Sequence, residues 1–133
     1  MTELFIRALM GHLIGDYLLQ TKHMALSKNR RGWSGAGICA LHALIYTVSV
    51  CLAMWTFDPF VWAAVFLSHW AIDRISLAKH WLKWIRGRTF EEAYASSDQY
   101  REFDIAFTSI VYTVVDNTFH LLFLCAAAWY LAR

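Results

Sequence analysis

From Gly32 to Phe57 the chain carries no Lys, Arg, Asp or Glu, and His42 is the only histidine among them. That run exceeds the roughly 20 apolar residues that carry a helix across a bilayer. A second run, Ile105 to Ala132, holds a single formal charge, Asp116. Two weaker segments are long enough only if charges are tolerated: Pro59 to Ala78 with Asp73 and Arg74, and Leu4 to Thr21 with Arg7 and Asp16. The pattern predicts an all-α integral membrane four-helix bundle, with spans at about 4–26, 34–57, 59–84 and 104–131.

Composition supports lipid as the outer solvent. The 133 residues suffice for a single transmembrane domain, and 59% are hydrophobic against 17% charged. Soluble domains run at roughly 45–50% and about 25%. Glu3 stands where a signal peptide has its basic region, so the first helix is expected to stay. Cys39, Cys51 and Cys125 fall within predicted spans, with no metal-motif spacing, and are expected as buried free thiols.

Basic residues set the orientation. Lys22, Lys28, Arg30 and Arg31 follow the first span without an acid, and six more lie between Arg74 and Asp104 among five acids. The opposite side has only Arg7 and Arg133. The positive-inside rule then puts the long loops in the cytoplasm and both termini outside. Trp33, Trp81 and Trp84 would mark the inner interface, and Trp55, Trp62, Trp129 and Tyr130 the outer one. The loop 85–103 is the one extended polar stretch, with room for a short surface helix. A net charge of +2 gives no case for nucleic acid. No phosphate-cradling loop or nucleophile elbow is present.

Against this background the polar residues inside the spans are conspicuous. His12 and Asp16, His69 and Asp73, and Asp116 and His120 are each four residues apart, so each pair shares a helix face. His precedes Asp in the first and third spans and follows it in the fourth, which runs the other way. Every Asp is therefore expected on the cytoplasmic side of its His, and His42 falls at the same depth. Ionisable groups within a span cost about 2.5–3.5 kcal/mol each on insertion scales and mark a functional site by default.

Imidazole and carboxylate without thiolate suit Zn, Mn or Fe. Seven donors (His12, Asp16, His42, His69, Asp73, Asp116 and His120) exceed one tetrahedral ion and fit a pair of ions about 3.5–4 Å apart. The bland alternative is a set of buried clamps, each Asp paired with its own His or with Arg74. Gln20, His23, Tyr46, Ser49, Ser76, His80, Ser109, Thr113 and Asn117 extend the same stripes and could orient ligands or join helices. His23 and His80, at basic loop edges, read as solvated. Cys39, a turn before His42, reads as a packed thiol. Gly11 and Gly15 form a small-residue pair suited to close helix packing.

The segments "GHLIGDYLLQ", "LHALIYT", "SHWAIDRISLAKHWLKW" and "VVDNTFHLL" resemble those of a small polytopic membrane protein family of bacteria and phages, catalogued as domain of unknown function 3307. The resemblance spans nearly the whole chain. It implies a bacterial or phage membrane protein, in the inner (cytoplasmic) membrane, with the seven His and Asp residues at the family's motif positions. It carries no activity with it.

Three functions fit these residues. The first is an intramembrane metal-dependent hydrolase, with Asp16, Asp73 or Asp116 as catalytic carboxylates and a lipidic or anionic phosphoester as substrate. Lys22, Lys79, Lys83 and Arg86 would form a basic rim, and a di-iron oxidase is a variant on the same ligands. The second is a divalent-metal transporter, which would need more polar lining in the outer half and a homo-oligomer for alternating access. The third is a membrane adaptor whose His/Asp layer only joins helices; it predicts no stoichiometric metal.

Overall fold

A computed structural model covers residues 1–133, and every element in it is helical. Helix α1 (Thr2–Leu13) runs into a single π-helical turn, Ile14–Leu18, and α2 (Lys22–Ser27) follows. The long apolar run forms α3 (Trp33–Ala53), and α4 (Pro59–Ile75) leads into α5 (Leu77–Arg86). A short α6 (Phe90–Ala95) precedes α7 (Arg101–Leu131). Helices α1, α3, α4 and α7 touch in cyclic order, each packed on two of the others, while α5 and α6 pack along α7. Two of them, α3 and α7, are long and apolar enough to cross a membrane.

Local chemistry explains the starts of the helices. Asp58 accepts from the Phe60 and Val61 amides ahead of Pro59, which needs no amide partner in the first turn. Thr21 caps α2 through the Met24 amide, and Thr89 caps α6 by accepting from the Glu92 amide while its hydroxyl donates to the Glu92 carboxylate.

Three helices end earlier than the sequence predicts. The first was expected to reach residue 26, but the π turn closes on Ile14 O from Leu19 N–H, and Thr21 turns extended before α2. The second was expected to reach 57. It stops at Ala53, where Trp55 takes φ 54° and the chain turns towards the Asp58 cap. The third was expected to run unbroken to 84. Ser76 interrupts it in the left-handed region (φ 52°), redirecting α5 away from α4. Residues 85–103 do hold a surface helix, α6, tied to α7 by Arg88, which pairs with Asp104 and lies over the Phe107 ring.

The apolar core occupies one half of the four-helix ring. Ala8, Tyr46, Val50, Cys51, Met54, Val61, Val65, Leu124 and Ala128 form its buried cluster. Helix α1 approaches α3 through glycine: a Cβ on Gly11 would lie 2.6 Å from Val50 Cα, and one on Gly15 2.9 Å from Tyr46 Cα. The small-residue pair is thus what lets the two backbones meet. Cys39 and Cys51 are buried as expected, but Cys125 is exposed on the outer face of α7. The α7 stripe facing the core carries His120, Leu124 and Ala128, and Cys125 is turned away from it.

Candidate metal centre

The helix faces bring four elements to one point. The π turn supplies Asp16, α3 supplies His42, α4 supplies His69 and Asp73, and α7 supplies Asp116 and His120. His42 Nε2 lies 3.0 Å from Asp16 Oδ1, 3.0 Å from His69 Nε2 and 3.4 Å from Asp73 Oδ2. His69 Nε2 lies 3.6 Å from Asp16 Oδ1 and 3.3 Å from Asp73 Oδ2. Donors sharing one tetrahedral ion at about 2.0–2.2 Å stand about 3.3–3.6 Å apart. The observed separations bracket that range. The two imidazole nitrogens and the Asp16 carboxylate thus converge as they would around a cation.

A second group begins at the other oxygen of Asp73. His120 Nε2 is buried without a hydrogen-bond partner, 3.8 Å from Asp73 Oδ1 and 3.8 Å from Asp116 Oδ2. These distances are too long for hydrogen bonds. Asp73 therefore faces one donor group with each oxygen, and its side chain is only 2% exposed. His69, Asp73 and His120 offer ligand atoms all within 4.8 Å of one another, as do Asp16, His42 and His69.

His12 stands beside the cluster. Asn117 is fixed by donating its Nδ2 to Thr113 O, so its Oδ1 accepts from His12 Nε2 at 2.6 Å. His12 Nδ1 is then free to accept from the Tyr46 hydroxyl at 3.2 Å, and lies 3.4 Å from Asp16 Oδ2. Of the seven expected donors, His12 alone has both ring nitrogens engaged by protein side chains at hydrogen-bond distance.

The flanking polar residues divide. Gln20 reaches the cluster, its side-chain amide 2.7 Å from His42 Nε2, and the Tyr46 ring stacks on His69 at 3.7 Å between centroids. Ser49, Ser109 and Thr113 instead bond carbonyls four residues back in their own helices. Ser76 forms the helix break, and His23 and His80 are exposed.

Sequence reasoning missed Lys28. It follows α2, yet its Nζ donates to Asp73 Oδ2 at 2.7 Å with only 12% of the side chain exposed. Burial alone would lower its pKa. The facing Asp73, with Asp16 and Asp116 beyond, outweighs burial and holds the ammonium above the ordinary lysine value. The absence of any acid between Lys22 and Arg31 was the one sequence signal that this segment had a carboxylate elsewhere to meet.

Cavities lie on both sides of the layer. A polar one of about 210 Å³ is lined by Asp16, Tyr17, Gln20, Lys28, Asn29 and Asp116. An apolar one of about 150 Å³ runs between α4 and α7, with Tyr46 and His120 in its wall. The carboxylates of Asp16 and Asp116 thus open towards the basic segment, while His120 faces the apolar half.

The family of proteins of unknown function DUF3307 matches residues 4–132. The chain belongs to that family. No curated protein and no solved structure matches it.

Proposed function

We propose that this protein is an integral membrane four-helix bundle holding two divalent ions, Zn, Mn or Fe, and that it hydrolyses a phosphoester or lipid-like substrate from the cytoplasmic side. The bilayer is that of the bacterial inner membrane, the termini lie outside, and the loops with Lys28 and α6 lie in the cytoplasm. Support for the membrane comes from outward apolar faces: Leu41, Leu44 and Leu52 on α3 and Ile110, Val114 and Leu122 on α7 are all exposed. Helix α4, at 17 residues, is about 26 Å long at 1.5 Å per residue, close to the roughly 30 Å of a hydrocarbon core.

The observation that carries the metal reading is the orientation of Asp73, one oxygen towards His42 and His69 and the other towards His120. A carboxylate so placed would be able to hold one ion with each oxygen. Asp16, His42 and His69 would complete one side, and Asp116 and His120 the other. His12, held by Asn117 and Tyr46, would stand beside Asp16 without binding an ion. Divalent ions there would lower the pKa of a water towards 7 and polarise a phosphoryl oxygen. Asp116 has the most exposed carboxylate of the three, at 19% against 11% for Asp16 and 2% for Asp73. It is the one placed to take a proton at the mouth of the polar cavity.

The test is phosphate release from a phosphate monoester lipid in mixed micelles, with protein loaded with Zn, Mn or Fe in turn. Release by the wild type and its loss in Asp73→Asn and Asp116→Asn is the expected result. No release with any ion would contradict the hydrolase reading.

A further inference from the structure

We infer that Lys28 binds an anionic phosphoryl oxygen of the ligand taken up in the polar cavity over Asp16 and Asp116. The inference rests on the metal-centre reading above and names the group that meets the substrate.

Charge is the first argument. Lys28 is the one Lys or Arg paired with a carboxylate of the cluster, and it lines one cavity with two more, Asp16 and Asp116. Without ions the cluster is anionic and one ammonium only partly offsets it. With two divalent ions the balance reverses, and the site becomes cationic with Lys28 as a surplus charge. A phosphate ester supplies the missing anion; a neutral ester or an amine does not.

Placement is the second. Lys28 touches Asp73 and also lines the cavity that opens over Asp16, Gln20 and Asp116. Its Nζ has three protons, so the bond to Asp73 leaves two for a ligand. Asp73 Oδ2 likewise has two lone pairs, enough for an ion and the ammonium together.

The backbone around Lys28 is held as well. Arg74, next to Asp73, donates to Arg30 O at 2.8 Å and to Lys28 O at 3.4 Å. Gly35 lets the Arg30 carbonyl lie against the start of α3, since a Cβ there would be 2.0 Å from Arg30 O. The segment that carries Lys28 is thus clamped to the same helix that carries Asp73. A lysine that only neutralised Asp73 would not need to face an open cavity.

The test is calorimetric titration of the metal-loaded, detergent-purified protein with inorganic phosphate, with a short-chain phosphatidate in micelles, and with diacylglycerol of the same chain length. Phosphate and phosphatidate should bind and diacylglycerol should not. Tighter binding of phosphatidate assigns the phosphoryl group to a lipid headgroup; tighter binding of phosphate assigns it to a soluble ester. Lys28→Met should keep its metal and weaken phosphate binding about tenfold or more, and Lys28→Arg should recover most of it. Wild-type protein that holds metal but binds no phosphate overturns this inference alone, whether or not the variants fold. So does Lys28→Met that binds phosphate like the wild type, or that loses its metal. Wild-type protein that retains no metal overturns the metal centre itself and this inference with it.

Discussion

Lys28 Nζ and Asp73 Oδ2 lie 2.7 Å apart, joining the segment after α2 to the last turn of α4. The contact closes the His/Asp cluster on the side of the polar cavity. It ties the π turn, three crossing helices and one loop into a single cluster.

If Asp73 bridges two ions as proposed, removing it should abolish metal uptake, whereas removing Asp116 should halve it. Asp73→Ala is expected to hold no stoichiometric metal, and Asp116→Ala to keep about one of two equivalents, because Asp116 meets only the His120 side. Elemental mass spectrometry of the two variants side by side checks this.

His12 is expected to stay outside any coordination sphere, since Asn117 and Tyr46 occupy its nitrogens. His12→Gln should change metal affinity by less than about tenfold, below the loss typical of a residue hydrogen-bonded to a ligand, while leaving the stoichiometry at saturation unchanged. Competition with a chelator of known affinity reads the first quantity and elemental analysis the second.

The crossing of α1 and α3 should tolerate no side chain at its narrowest point. Gly11→Val drives new atoms into the Val50 backbone and is expected to destabilise the protein by about 1–3 kcal/mol. Gly37→Ala, whose Cβ meets nothing within 4 Å, should leave the melting temperature unchanged or slightly raised. Thermal unfolding in detergent compares them.

Orientation can be read by labelling. In a background with Cys39, Cys51 and Cys125 replaced, Ser97→Cys should react with an impermeant maleimide only from the cytoplasmic side, and Glu3→Cys only from outside. The reverse pattern would invert the topology.

The parts of this centre that were legible in the sequence share one cause. His69 with Asp73, and Asp116 with His120, are four apart on continuous helices, so the helical period alone places them on one face. His12 with Asp16 follows the same spacing, but the π turn starts between them and lets Asp16 reach His42 while His12 turns to Asn117. Nothing in "HLIGDYLLQ" announces that turn, which adds a residue without glycine or proline at its end. Ser76 likewise breaks α4 with a residue that ordinarily avoids positive φ. Lys28 was illegible for a different reason: its partner is set by the path of a loop, and loops carry no period. Arg74 shows the same limit, being a candidate partner for Asp73 by proximity in sequence while bonding the Arg30 carbonyl instead.

Metal content of the detergent-purified protein, by elemental mass spectrometry beside an Asp16→Ala/Asp73→Ala double variant, tests directly whether the His/Asp layer holds ions. About two equivalents of Zn, Mn or Fe are expected in the wild type and none in the variant. Wild-type protein that stays free of all three after reconstitution with each would contradict the metal centre, and the His/Asp layer would then be a set of helix clamps.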